Sequence, residues 1–262
     1  MSTIVSITKL CLFSSKSCPY AHRCEIAIKI LGLAELVSVV YCDPVFSFKE
    51  KWKIIGSNNP TKHTFLKDLY EELGRSTDRV SLPTLYDPIN NQIIYTDSVE
   101  IIKFLNLYSN GASLNLEDND FFLKFEQNIS TGTYLAGHAK TQENYKKYFN
   151  LVFDYLDQLN NYLVDKIFVS QNKLSMLDVI VYCHLIRFDP IFYNLFSLNK
   201  KHLWEYTNIC RYLKNLLTIK EFRETTDIEE IKRGGYLTEN NLPQNLGYVK
   251  VPLGSGGIEH YF

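Results

Sequence analysis

The chain has 262 residues, 45% hydrophobic and 22% charged, an ordinary globular balance in a chain long enough to bury a core without disulfide staples. Lysine and arginine number 28 against 29 acidic residues, a net charge of −1, which argues against nucleic-acid or anionic-membrane binding because both need a concentrated positive field. No apolar run approaches the ~18 residues of a membrane span, and the opening MSTIVSITKLCLF has neither signal-peptide nor transit-peptide character, so a soluble, cytoplasmic protein is expected.

Residues 8–14 (TKLCLFS) read as a short strand. Residues 19–31 carry apolar side chains at helical spacing, and Gly32 follows where a helix end favours glycine. The β-branched run 36–41 is a second strand, so the first unit is most simply a parallel βαβ. Residues 43–62 read as an irregular insertion and 64–73 as a helix. Two short strands, 82–86 and 92–95, flank the turn-rich DPINN, and a helix at 97–107 is capped by Thr96 or Asp97. After a linker at 109–116 only helical patterns follow, at 118–134, 142–167, 176–187, 203–217 and 227–233. Ser175 and Asp178 form a capping-box pattern, and the chain from Gly234 on reads as an extended tail. The fold class is therefore α/β plus all-α, with a domain at 1–109 and a helical domain at 110–262. The order βαβ–α–ββ–α matches the thioredoxin topology, and with the helical half it matches the glutathione transferase layout.

Six cysteines are spread through apolar contexts with no C-x-x-C pair and no zinc-finger spacing. Five read as reduced packing residues. Cys18 differs: in SSKSCPYAHR it falls at the start of the first helix with Pro19 in the first turn. Free N–H groups and the positive helix end favour a thiolate there, and His22 and Arg23 are expected to add positive charge. Cys24 is six positions on and points elsewhere, so a resolving thiol must come from outside. Read alone, Cys18 is also compatible with an ordinary helix-start packing cysteine. In SLPTL, Pro83 opens the third strand, where a cis bond would expose the Leu82 backbone to a bound peptide; a trans proline at a strand start is the plain alternative. Asp97 and Ser98 open the third helix, where they suit the carboxylate and amino group of a γ-glutamyl residue, or simple capping.

C-P-Y-A-H-R resembles the C-P-W-A-H-R signature of the xi-class glutathione transferases, the glutathionyl-hydroquinone reductases. RVSLPTLYD at 79–87, GTYLAGHAKTQENY at 132–145, LIRFDP at 185–190 and EEIKR at 229–233 are similar to that family in the same order. The resemblance implies that glutathione is the cosubstrate and a glutathionyl conjugate the small-molecule partner. It also implies that Cys18 is the nucleophile and that Trp52, Leu82, Pro83, Asp97 and Ser98 hold glutathione. The acceptor pocket it implies contains Tyr20, Tyr134, Tyr193 and Tyr236, with Tyr134 at the phenol oxygen, although a packed helix-end aromatic is the plainer role for that residue. It implies a homodimer, and no metal or prosthetic group is expected. The chain departs from the family pattern at Tyr20 (Trp in the signature), Asp97 (usually Glu), Ile191-Phe192 (usually Val-Tyr) and Gly234-Gly235-Tyr236 (usually His-Tyr-Tyr), and the family carries a longer stretch ahead of its cysteine. Two phenolic hydroxyls of the acceptor pocket are thus missing unless Tyr193 replaces one. A general monothiol transferase or dehydroascorbate reductase of omega type, a host thiol other than glutathione, and a non-catalytic glutathione-transferase-like binding protein are the competing readings.

Overall fold

The computed structural model describes residues 9–109, 111–170, 173–238, 251–254 and 256–261. Strand β1 (Leu10–Ser14) lies inside a four-stranded sheet of order β2-β1-β3-β4, with β2 at Val37–Tyr41, β3 at Thr84–Asp87 and β4 at Gln92–Tyr95. β1 pairs parallel with β2 and antiparallel with β3, and β3 pairs antiparallel with β4. Side chains alternate across a strand, and here both faces are covered. Leu10 and Leu12 enter the main core, while Cys11 and Phe13 enter a second core with Val40, Ile54, Leu66 and Leu69. This is why β1 reads as a continuous apolar run rather than as alternation.

Helix α1 (Pro19–Ile30) crosses from β1 to β2, and α2 (Leu66–Glu72) covers the second core. Asp97 caps α3 (Ser98–Asn106), accepting from the Val99 and Glu100 N–H groups at 2.9 and 3.0 Å. The helical half holds α4 (Asn119–Phe125), α5 (Gly132–Gly137), α6 (Gln142–Tyr162), α7 (Met176–Leu185), the single turn α8 (Tyr193–Leu195), α9 (Thr207–Thr218), α10 (Lys220–Thr225) and α11 (Ile228–Leu237). One continuous apolar core joins Leu12 and Ile26 of the sheet half to Phe125, Ile180 and Leu213 of the helical half. The capping box at the start of α7 forms: buried Asp178 accepts from the Ser175 and Val169 N–H groups at 2.8 and 2.7 Å and from the Tyr212 hydroxyl at 2.9 Å.

Three expectations change. The helix expected over 118–134 is broken by a π-helical turn at Glu126–Thr131, and a second π turn, Phe188–Phe192, follows α7. Pro190 lies in the second and cannot supply the N–H that would continue α7. The chain does not turn into a tail at Gly234, because α11 runs to Leu237. Two glycines weaken a helix, but here they let it approach its neighbours. A Cβ on Gly234 would lie 2.2 Å from Ser17 Cβ and 2.5 Å from the Pro44 carbonyl oxygen. The short α10 has no counterpart among the sequence patterns. Much of the expected tail, 239–250, lies outside the described residues.

Candidate active site

The turn between β1 and α1 ends at Cys18, the N-cap of α1. Its sulfur accepts the Ala21 N–H at 3.4 Å, and its thiol donates to the Leu82 carbonyl at 3.4 Å. The Leu82–Pro83 bond is cis. Burial pushes the Cys18 thiol above its ordinary value, while the Ala21 N–H, Arg187, the Tyr20 N–H and Arg23 pull it down. The helix start thus acts as the sequence suggested, but loss of water is the larger influence and reverses the expected direction. Burial raises the other thiols too, with Cys11 and Cys183 pushed up to about 12. Cys24 is fully buried, its thiol near the Tyr20 and Ser98 carbonyls, and does not face Cys18 as a resolving thiol would.

Cys18 lines a cavity of about 500 Å³ shared by both halves of the molecule. Phe46, Phe48 and Trp52 of the 43–62 insertion form one wall, and Ile191, Phe192 and Phe196 another. Tyr134 and His138 stand together with ring centroids 4.1 Å apart. Gly234 and Gly235 of α11 and its C-cap Thr238 line the cavity beside Ser17 and Pro44. The insertion is tied to α11 by Arg233–Asp43 at 2.9 Å and by the Phe46 N–H donating to Thr238 at 3.2 Å. Ser17 donates to the Pro44 carbonyl at 2.8 Å.

Of the residues singled out from sequence, Cys18, Tyr20, Trp52 and Tyr134 meet at this cavity. Tyr20 is 36% exposed, with the Arg23 guanidinium over its ring at 4.5 Å. Tyr134 is 54% exposed. Leu82, Pro83, Asp97 and Ser98 are not on the cavity wall, although the Leu82 carbonyl faces the Cys18 thiol behind it. Ser98 is buried and accepts from Arg23 at 3.4 Å, and Asp97 is exposed and serves as a cap. Tyr193 and Tyr236 do not reach the cavity. The π turn carries Ile191 and Phe192 to the wall and leaves Tyr193 stacked on His202 at 3.6 Å, in a series continued by Trp204 and His260. Tyr236 is buried, with its hydroxyl directed to the Pro190 carbonyl at 3.4 Å. The hydroxyls missing from the cavity are therefore not restored by these neighbours.

His22 does not add charge to the site. It is buried and its value is well below the usual, because of burial first and then Arg187 and Lys16. Its Nδ1 lies 3.1 Å from the Arg187 guanidinium and its Nε2 2.9 Å from the Thr225 hydroxyl. Arg187 itself, inside LIRFDP, lines the cavity and is 2% exposed. It was not assigned a role from sequence, and the one available signal was that stretch. Among the described residues no group of three or more His, Cys, Asp or Glu side chains is placed to hold a metal ion, and no helix is long and apolar enough to cross a membrane.

A thiol at a helix N-terminus opposite a cis-proline, with a helical half closing an apolar cavity over it, defines a protein of the glutathione transferase type. Residues 12–111 match the family model for the glutathione S-transferase N-terminal domain and 142–214 that for the C-terminal domain. The chain belongs to the glutathione transferase family. Among curated relatives, the glutathionyl-hydroquinone reductase YqjG of Escherichia coli is 26% identical over 258 residues, covering 92% of this chain and 78% of the relative. The glutathione S-transferase omega-like 2 of Schizosaccharomyces pombe is 29% identical over 279 residues, covering 96% and 87%. The glutathione-bound structure of YqjG superposes with a TM-score of 0.86 at 25% identity, covering 93% of this chain and 84% of that one. The xi glutathione transferase ECM4 of Saccharomyces cerevisiae shares the fold with a TM-score of 0.87 at 23% identity, covering 96% and 92%.

Proposed function

We propose that the protein is a glutathione-dependent reductase of glutathionyl-hydroquinones or similar conjugates, with Cys18 as its nucleophile. The observation that carries this reading is the place of Cys18: capping α1, facing the Leu82 carbonyl, and open to a cavity lined by aromatic side chains. Relatives named as glutathionyl-hydroquinone reductases, spanning most of the chain, support it. In this reading the Cys18 thiolate attacks the sulfur of the conjugate. A Cys18–glutathione disulfide forms as the carbon–sulfur bond breaks, and the ring carbon keeps the electron pair and takes up a proton. A second glutathione sheds its proton, attacks the glutathionyl sulfur and leaves as glutathione disulfide, returning Cys18 as the thiolate.

Residues 1–109 hold glutathione in this reading, through Trp52, the Leu82 backbone beside Pro83, and Asp97 and Ser98. Residues 110–262 complete the acceptor site, with Tyr134 at the phenol oxygen and Tyr20 at the rim. The protein acts in the cytoplasm as a homodimer. The test is reduction of glutathionyl-menadiol by glutathione, wild type beside Cys18→Ser, with intact-mass detection of the glutathione adduct. Turnover and adduct in the wild type alone support the reading; an adduct without hydroquinone release moves the acceptor elsewhere. Absence of both turns attention to another host thiol or to a binding protein without turnover. Thiol transfer of omega type is the second reading. It is favoured by the loss of Tyr193 and Tyr236 from the cavity and by the omega-like relatives, and faster turnover of a mixed disulfide than of the hydroquinone conjugate selects it.

A further inference from the structure

Buried cations in this protein have carboxylate partners, with one exception among the described residues. Arg23 pairs with Glu126 at 2.5 Å, Lys232 with Glu229 at 2.7 Å, and half-buried Lys16 with Glu25 at 2.7 Å. Arg187 is buried and no described carboxylate lies within ion-pair distance of it. Its donors go to neutral acceptors: Nε to the Ser17 carbonyl at 3.2 Å, Nη2 to the Lys16 carbonyl at 2.8 Å, and Nη1 to the Cys183 carbonyl at 2.6 Å and to His22 Nδ1 at 3.1 Å. Because Arg187 is always a donor, His22 Nδ1 is held as an acceptor, which leaves Nε2–H to donate to Thr225 at 2.9 Å. Four of the five guanidinium N–H groups are therefore fixed, and two of them grip the backbone immediately before Cys18. Hydrogen bonds satisfy such a group but do not cancel its charge, and an uncompensated buried charge is strongly unfavourable.

The groups that can answer that charge are few. Burial raises Cys183 to about 12, and raises Tyr182 as well, so both stay neutral. Glu25 is engaged by Lys16, by the Tyr41 hydroxyl at 3.0 Å and by the Ser14 hydroxyl at 2.5 Å. His22 is neutral. Around Cys18 the other thiols, Cys24 and Cys42, are raised by burial, as is the Tyr20 phenol. Arg23 acts on Cys18 more weakly than Arg187 does and is already paired. Burial raises Cys18 as well, but Cys18 shares the cavity wall with Arg187 and directly follows the two carbonyls that Arg187 grips, so it is the reacting group placed beside that cation.

We propose that Arg187 is the positioning residue of the reactive thiol: it clamps the Lys16–Ser17 backbone that sets Cys18 at the head of α1, and it finds its counter-ion in the Cys18 thiolate. The proposal rests on Cys18 being the reacting group. It implies that each departure of charge from Cys18, as in the mixed disulfide, leaves the Arg187 cation unanswered again, which favours return of the thiolate when the second thiol arrives. The role is distinct from holding either substrate.

The experiment follows alkylation of Cys18 by iodoacetamide from about pH 6 to about pH 11, read at that cysteine by peptide mass spectrometry. Wild type is compared with Arg187→Met, which keeps the stem and removes the charge, and with Arg187→Lys, which keeps a charge but not the fork. The expected result is an upward shift of the alkylation midpoint by about 1 unit in Arg187→Met, roughly ten-fold slower reaction on the low-pH side. Arg187→Lys is expected to keep most of the wild-type midpoint, yet to form the glutathione adduct from glutathione disulfide about ten-fold more slowly, because one ammonium cannot hold both carbonyls. A folded Arg187→Met protein with an unchanged midpoint overturns the counter-ion role. Should circular dichroism show Arg187→Met unfolded, Arg187→Lys decides: wild-type midpoint and wild-type adduct rate together overturn the proposal, and a preserved midpoint with a slower adduct supports it. Neither readout uses a hydroquinone. A chain without reductase activity therefore still tests Arg187, whereas a wild type that forms no Cys18 adduct removes the reading beneath it.

Discussion

Adding one methyl group to Gly234 or to Gly235 should have different consequences, although both lie in the last turns of α11. Replacing a helical glycine by alanine favours the helix by about 1 kcal/mol at either site. At Gly234 the new Cβ would lie 2.2 Å from Ser17 Cβ and 2.5 Å from the Pro44 carbonyl oxygen. These are groups held by the backbone and by the Ser17–Pro44 hydrogen bond, so they cannot turn aside as the end of a side chain can. Overpacking of this kind costs about 1–3 kcal/mol, and the severity of the contact places it at the upper end. Gly234→Ala should therefore lose about 2 kcal/mol net, a fall in Tm of roughly 4–8 °C. At Gly235 the nearest atom is Ile191 Cδ1 at 2.6 Å, the far end of a flexible chain that can rotate. Gly235→Ala should lie within about 1 kcal/mol of wild type. Urea denaturation read by circular dichroism measures both, and the rate of Cys18 alkylation shows whether the Ser17 turn has moved. If Gly234→Ala is as stable as Gly235→Ala and its Cys18 reacts at the wild-type rate, the close approach of α11 to the Ser17–Pro44 turn is not a constraint and the reasoning is wrong.

Because burial raises Cys18 above its ordinary value, its alkylation rate should still be climbing at about pH 9; a plateau near neutral pH would mean that the helix end outweighs desolvation. Asp178→Ala should remove roughly 3–5 kcal/mol of stability in urea titration, since it leaves the buried N–H of Val169 and the Tyr212 hydroxyl without their acceptor. Tyr193→Phe should leave turnover within about two-fold of wild type, because the ring faces His202. Tyr134→Phe should lower kcat/KM for a hydroquinone conjugate by about ten-fold or more, the loss of one hydrogen bond. Equal effects of the two tyrosine changes would contradict the cavity as described.

The sheet half was legible because its signals are local. An apolar run between a turn and a proline-opened helix fixes β1 and α1, and the start of α1 fixes Cys18 as its cap. Asp97 could be read as a cap for the same reason, since capping needs only its own next three residues. The role of Arg187 could not be read this way. It depends on a guanidinium reaching carbonyls some 170 positions earlier in the chain, and no periodicity encodes that approach. Tyr193 could not be placed from sequence for a subtler reason. The π turn at Pro190 adds an extra residue to the helical phase, so which of residues 191–193 faces the cavity cannot be counted from the helix before it. The glycine pair was misread as the beginning of a tail because propensity speaks against a helix there, whereas packing against Ser17, Pro44 and Ile191 favours it.

The stacked rings at Tyr193, His202, Trp204 and His260 turn the protein into its own reporter. Only two tryptophans are present, and they occupy separate places: Trp52 in the cavity wall, 4.8 Å from Phe46, and Trp204 between two imidazoles, 3.6 Å from His202 and 4.4 Å from His260. Stacked neighbours alter indole emission. Light emitted by Trp204 therefore registers whether the segment bearing His260 is seated, while that from Trp52 registers what enters above the thiol. Replacing either tryptophan by phenylalanine leaves a single-colour label for the other event, with no dye attached.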